Sequence, residues 1–333
     1  MNICGQGSRF TSARRTFSLL PLVRYYTPRR AVLYAPGDDS KKLHKALSLN
    51  VDCVAMDCED GVAVNRKDAA RTTITKLLAK GPVSTQTPEW SVRINSVDSG
   101  LCADDISSIF SGSVVPPTVL LPKVDVSEHL VWFANKLSTH LKGKNSDKKI
   151  NLIIYIESAK AILNLPAICR TAKELSASKP VEPVALVFGS DDLCASIGVT
   201  RSEDATEVMY ARQKLVLVAK AFHLQAIDMV HINFKDLESL KKQCQLGASL
   251  GYTGKQIIHP SQVQIVQELF LPSEKQVIWA QGLVAAFQEH QAAGKGAFVY
   301  QGHMIDMPLL RQAQNILQMS AAAKSSGHDS TKY

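Results

Sequence analysis

Apolar residues gather along this chain in eight short, mostly continuous runs rather than in alternation. They are "AVLYAP" from Ala31, "CVAMDCED" from Cys53, "WSVRIN" from Trp90, "TVLLPKV" from Thr118, "NLIIYIES" from Asn151, "VALVFGS" from Val184, "AIDMVHINF" from Ala226 and "KQIIHP" from Lys255. A strand apolar on both faces is covered on both faces, as in a parallel sheet under helices. Helical periodicity fills the intervals 41–49, 67–78, 127–141, 159–175, 207–222, 237–250 and 262–269. This serial order predicts an α/β fold, a (β/α)8 TIM barrel spanning residues 29–271. The alternative is an open doubly wound sheet, which calls for a G-x-G-x-x-G turn after an early strand. "APGDDSKK" from Ala35 is not such a turn.

Beyond the eighth unit the pattern changes. A helical stretch over 273–290, the Gly-punctuated "GKGAFVYQGHMIDMP" from Gly294 and a last helix over 309–319 predict a C-terminal helical lid extension, residues 272–323. The polar end, 324–333, reads as a frayed tail.

Charge modifies the picture at the other end. The formal net charge is +8, yet the first 37 residues hold six arginines (Arg9, Arg14, Arg15, Arg24, Arg29, Arg30) and no acid, leaving 32 basic against 30 acidic residues elsewhere. The basicity therefore belongs to a Ser- and Arg-rich leader, read as a mitochondrial transit peptide over residues 1–28, and not to a nucleic-acid-binding surface. No run reaches the length of a membrane span. Seven cysteines without a C-x-x-C pair read as buried thiols of a reducing compartment.

In a TIM barrel the chemistry sits where the strands end, so the polar residues there carry the functional reading. They are Tyr34, Asp57, Glu59, Asp60, Arg93, Lys123, Glu157, Asp191, Asp192, His231, Asn233 and His259. Glu157 and the Asp191/Asp192 pair leave neighbouring strands, and converging carboxylates repel and raise each other's pKa. A divalent cation removes that conflict; two carboxylates with the remaining positions open suit Mg2+, and no Cys/His cluster favours Zn2+. Adjacent residues on a strand point oppositely, so one aspartate of the pair faces the metal. Arg93 offers a planar fork to a substrate carboxylate, or a salt bridge to Glu59 or Asp60. Lys41, Lys42 and Lys45 stand in the first turns of a helix, against its dipole; a phosphate-rich ligand or a solvated face both account for them. His259 reads as structural, beside Pro260 and a capping Ser261. Asp306 lies between methionines in "HMIDMPLL", where apolar surroundings would raise its pKa and suit it to proton transfer.

The motifs "LYAPGDD", "DCEDGV", "VRINSVDSGL", "LLPKV", "FGSDDLCASIG", "LQAIDMVHINF", "GYTGKQIIHP" and "GKGAFVYQGHMIDMPLL" together resemble the HpcH/HpaI and citrate lyase β-subunit superfamily, from about Arg29 to Met319. The resemblance implies a Mg2+-dependent barrel, generally a homotrimer, that cleaves a 3-hydroxyacyl-CoA such as citramalyl-CoA into acetyl-CoA and a 2-oxo acid, here pyruvate. It implies Glu157 and Asp192 as metal ligands, with Asp191, Glu59 and Asp60 behind them, and Arg93 at the substrate carboxylate. Tyr34, Lys41, Lys45, Ile258 and His259 match positions that line the acyl-CoA site. Asp306 matches the acid/base of a lid that in relatives reaches a neighbouring subunit. Lys160 and His303 depart from the pattern and bear on substrate preference. The same residues run backwards would condense acetyl-CoA with glyoxylate or another 2-oxo acid. The resemblance is also compatible with an aldolase acting on free hydroxy acids and with a non-catalytic subunit of a citrate-lyase-like complex.

Overall fold

The structure is a computed structural model that describes residues 27–81, 88–142, 149–292 and 298–325. The leader apart from its last two residues, Cys4, and the tail from residue 326 lie outside the described residues.

Eight strands close into one parallel barrel in sequence order. They are β1 (Ala31–Pro36), β2 (Cys53–Asp57), β3 (Glu89–Arg93), β4 (Thr118–Leu121), β5 (Ile150–Ile156), β6 (Val181–Phe188), β7 (Gln225–Asp228) and β8 (Gly254–Ile257). Helices cover the outside: α1 (Ser40–Leu47), α2 (Lys67–Lys80), α3 (Cys102–Ile109), α4 (Ser127–Leu141), α5 (Ala159–Ser178), α6 (Ser190–Ile197), α7 (Met209–Ala221), α8 (Leu237–Leu250) and α9 (Val263–Leu269). Strand alternation splits the apolar residues into two layers. Val32, Ala55, Leu120, Ile153, Tyr155, Ala185, Val187 and Ile227 fill the barrel interior. Their neighbours, such as Leu33, Met56, Val119, Ile154 and Phe188, join the larger shell under the helices.

Between β5 and β6 the register shifts after Leu152, so that Ile153 pairs with Ala185 and Val184 is the extra residue. Pro183 has no N–H for the ladder, which places the irregularity there. Past it, Ile153 and Tyr155 point inward, and the same alternation carries Glu157 to the inner mouth of the barrel.

Several elements differ from the sequence reading. The run from Ala226 is strand only through Asp228, and its polar continuation is loop. Helices α3 and α6, each eight residues long, were not anticipated. Arg29 and Arg30, counted with the basic N-terminal stretch but placed at the start of the barrel, are structural: Arg29 Nε donates to Glu89 Oε2 (2.5 Å) and Arg30 Nη2 to Asp52 Oδ1 (2.7 Å), all largely buried. Six of the seven cysteines, Cys53, Cys58, Cys102, Cys169, Cys194 and Cys244, are free and buried as expected.

The C-terminal extension is α10 (Glu274–Ala292), a hairpin of β9 (Phe298–Tyr300) and β10 (His303–Ile305), and α11 (Met307–Ser325). Ala280, Leu283, Ile305, Leu310 and Ala313 give it a small core of its own. Among the described residues no helix is long and apolar enough to cross a membrane.

Candidate active site

The β-strand exits bring a dense set of charges together. Asp57 and Arg93 are register partners on β2 and β3. Arg93 Nε donates to Asp57 Oδ1 (2.8 Å) and Nη2 to Oδ2 (2.6 Å), while Nη1 lies 2.9 Å from Glu59 Oε2. The arginine is thus paired with Asp57 and with Glu59, one of the two partners proposed from sequence; Asp60, the other, is exposed and faces Lys123 instead (3.4 Å). The guanidinium lies 4.8 Å over the Tyr34 ring. Its carboxylate neighbours outweigh the cost of burial and hold Arg93 firmly protonated.

Tyr34 stands inside the mouth. Its hydroxyl donates to Gln256 Oε1 (2.9 Å) and pairs with the Tyr155 hydroxyl. Burial pushes the phenol pKa of both tyrosines upward, so they remain neutral hydrogen-bonding groups.

Glu157, buried at the end of β5, faces Asp192. The pair is built by α6, whose first turn carries both Asp191 and Asp192 against the positive end of the helix dipole and whose end is fixed by Gly198 at φ 76°. The aspartates are therefore helical rather than strand residues, and it is the turn of the helix that separates them. Asp191 turns to Arg201, whose Nη1 lies 3.2 Å from both carboxylate oxygens. Asp192 turns to the mouth. Gly189, just before α6, leaves the room that Glu157 takes: a Cβ there would sit 2.4 Å from Glu157 Cγ. Burial, then the facing Asp192 charge, then Glu59 push the Glu157 carboxyl well above the usual range. A dication bridging the two carboxylates relieves that repulsion, so the residues fit one. Among the described residues no cluster of three or more His, Cys, Asp or Glu surrounds a metal position. The donor set is two carboxylates, the open arrangement that Mg2+ takes with water and substrate.

The remaining candidates sit on the rim. Lys41 and Lys45, one turn apart on α1, are exposed. Ile258 is exposed after β8, and the His259 ring stacks on Phe234 with centroids 4.5 Å apart. His259, not Ser261, caps the following turn: its Nδ1 accepts from Ser261 N (3.2 Å), and Gln262 Oε1 accepts from His259 N (3.2 Å). Asp306 departs furthest from expectation. It is exposed rather than in apolar surroundings, and its Oδ1 accepts from Leu309 N (3.1 Å) as the cap of α11.

Asp57, Lys123, Arg201, Tyr155 and Phe234 carry contacts that the sequence reading did not assign. Lys123 Nζ lies 2.9 Å from Glu59 Oε1 and 3.9 Å from Asp192 Oδ1. Its signal in sequence was only a lysine at a strand exit.

Residues 30–260 match the family HpcH/HpaI aldolase/citrate lyase. The chain belongs to the HpcH/HpaI aldolase/citrate lyase family. Among relatives in this family, a mitochondrial citramalyl-CoA lyase of Homo sapiens is 49% identical over 302 residues, covering 90% of this chain and 87% of that protein. Citrate lyase subunit beta of Leuconostoc mesenteroides subsp. cremoris is 27% identical over 300 residues, 88% of this chain and 94% of that one. The solved structure of protein CitE from Mycobacterium tuberculosis, in complex with magnesium, acetoacetate and coenzyme A, superposes with a TM-score of 0.69 at 27% identity over 88% of this chain and 98% of that one. A citrate lyase from Burkholderia xenovorans LB400 shares the fold, with a TM-score of 0.76 at 19% identity over 93% of this chain and 96% of that one.

Proposed function

We propose that this member of the HpcH/HpaI aldolase/citrate lyase family is a Mg2+-dependent carbon–carbon lyase that splits citramalyl-CoA into acetyl-CoA and pyruvate in the mitochondrial matrix. The observation that carries the reading is the Glu157/Asp192 pair facing Arg93 across one barrel mouth. The near relatives named for this activity and for mitochondria, together with the CitE complex with magnesium and coenzyme A, support it.

Citramalyl-CoA presents a tertiary hydroxyl beside a free carboxylate, with a methylene between that carbon and the thioester. The carbon–carbon bond at the methylene breaks and the hydroxyl oxygen becomes the ketone of pyruvate. A proton passes, net, from hydroxyl to methylene carbon, which becomes the acetyl methyl. Glu157 and Asp192 would hold Mg2+. When bound, the ion supplies Lewis-acid stabilisation of charge on the hydroxyl oxygen. Arg93, already protonated and oriented by Asp57, binds the carboxylate through the edge it shares with Glu59. Tyr34 and Tyr155, kept neutral by burial, remain hydrogen-bonding groups beside it. Lys41 and Lys45 meet the phosphates of the CoA moiety, and Ile258 and His259 line its approach.

Asp306 delivers the proton to the acetyl carbon. It is exposed, with Val299, Met304 and Met307 exposed beside it, a surface suited to closing over a barrel mouth. The assembly is a homotrimer in which the extension of one subunit meets the site of the next.

The deciding experiment measures acetyl-CoA and pyruvate released from citramalyl-CoA by the chain without its leader, with Mg2+ and then with excess chelator. Turnover that vanishes with the chelator supports the reading. A folded, Mg2+-binding protein that leaves citramalyl-CoA intact, or that only condenses acetyl-CoA with glyoxylate, overturns it. Light scattering on the same sample tests the trimer.

A further inference from the structure

We propose that Lys123 is a positioning residue that weakens and tunes the hold of the carboxylate pair on its dication, an inference that rests on Glu157 and Asp192 being the metal ligands. Three observations point there. Lys123 sits at φ 52°, in the left-handed region that a residue with a side chain adopts at a cost. It directly follows Pro122 at the exit of β4, and the next residue is tied down, Val124 N donating to Tyr155 O (3.3 Å). From that constrained position its ammonium lies 2.9 Å from Glu59 Oε1, 3.4 Å from Asp60 Oδ1 and 3.9 Å from Asp192 Oδ1. One cation therefore joins the acids of the β2 exit to a metal-ligand carboxylate on α6, across the mouth.

The strained residue is thus the one whose side chain reaches both sides of the site, and strain of this kind persists where the surroundings fix it. A rim salt bridge on an ordinary loop needs neither the left-handed backbone nor a contact to Asp192. The consequence is electrostatic. An ammonium beside Asp192 competes with and repels a dication on the same carboxylate, while its hold on Glu59 keeps that acid from adding to the pull on the metal. Lys123 keeps the metal exchangeable and holds Asp192 at the mouth before the metal arrives.

The test titrates metal-depleted protein with Mn2+, read by electron paramagnetic resonance, in the absence of substrate. Lys123→Met removes the charge and keeps a long side chain. Lys123→Gly removes the charge and suits the left-handed backbone, so it carries the test if the methionine variant does not fold. Both are expected to bind Mn2+ about tenfold more tightly than the parent, the effect of one elementary charge close to a dication in a largely aqueous dielectric. Lys123→Arg keeps the parent affinity within about twofold, since the charge is retained. Glu157→Gln serves as the control for the ligand assignment and loses binding. Parent-like or weaker binding by the methionine and glycine variants, with Glu157→Gln still losing the metal, overturns the role of Lys123 alone. Undiminished binding by Glu157→Gln overturns the ligand assignment and the inference with it.

Discussion

Arg93 and Asp57 meet edge to edge at the exits of neighbouring strands, Nε to Oδ1 at 2.8 Å and Nη2 to Oδ2 at 2.6 Å, with both side chains largely withdrawn from solvent. The same carboxylate accepts from Glu59 N and Gly61 N, so it fixes the loop after β2 as well as the arginine. Asp57→Asn keeps the shape and turns an amide NH2 toward a guanidinium. Breaking one partner of a buried pair costs about 3–5 kcal/mol. A fall of that size in unfolding free energy by urea denaturation is expected, together with a loss of about 10²-fold in kcat/KM from a misplaced Arg93. A variant with parent stability and parent activity would remove Asp57 from this role.

Which parts of this arrangement were readable from the chain follows from what each depends on. The barrel was readable because strands buried on both faces need no partner to announce themselves, and all eight runs became strands. Helices α3 and α6 were missed because each is short and opens with acids, Asp104 with Asp105 and Asp191 with Asp192, which look like polar strand ends. Glu59 was legible as an Arg93 partner, but Asp57 was missed because its pairing with Arg93 depends on the register between β2 and β3, which no local pattern specifies. Lys123 was one charge among many until its φ was known. The leader and tail lie outside the described residues. Asp306, an exposed cap in the single chain, took its expected apolar setting from flanking methionines that themselves face outward.

Gly189→Ala tests how closely the carboxylate pair is fitted. The added methyl would lie 2.4 Å from Glu157 Cγ and 2.9 Å from its Cδ, a distance that real contacts do not allow. Gly189 has φ −90°, which alanine adopts freely, so the backbone has no reason to move and the glutamate must. Displacing a ligand from its support typically weakens metal binding about 10–100-fold. Calorimetric titration with Mg2+ should show that loss with a thermal midpoint near that of the parent. Unchanged affinity would mean that Glu157 does not hold the metal from this position.

Buried thiols give the fold a defined alkaline limit. Burial pushes Cys102, Cys169 and Cys244 up to about 12 from an ordinary thiol value of 9.0. Between those values the unfolded chain releases the protons of these three thiols, which the folded chain retains. Stability is fully present below pH 9 and falls as pH rises toward 12. Urea midpoints measured from pH 8 to 11 should decline, and Cys169→Ala should flatten the slope even where its cavity lowers the midpoint overall. Native protein at pH 8 should also react slowly with a thiol reagent at these three positions until urea is added. A midpoint that holds constant across the window would contradict the assignment.

Asp306 places the strongest demand on the assembly, because in the single chain its carboxylate is exposed and engaged only as the cap of α11. If it protonates the acetyl carbon, Asp306→Asn preserves the shape of the cap and lowers kcat by about 10²–10⁴-fold while leaving KM for citramalyl-CoA close to that of the parent. A structural cap alone would instead leave both the thermal midpoint and kcat close to those of the parent, since Asn caps a helix about as well as Asp. The lid reading adds a second outcome, since a site shared between subunits can be rebuilt from two defective chains. Asp306→Asn chains and Arg93→Ala chains, each inactive alone, should regain part of the parent rate when unfolded together and refolded as mixed trimers, because some sites then draw Arg93 from one chain and Asp306 from another. Recovery in the mixture, with none when the two are refolded apart and combined, is the expected result. Full activity of Asp306→Asn by itself would assign the proton to another group.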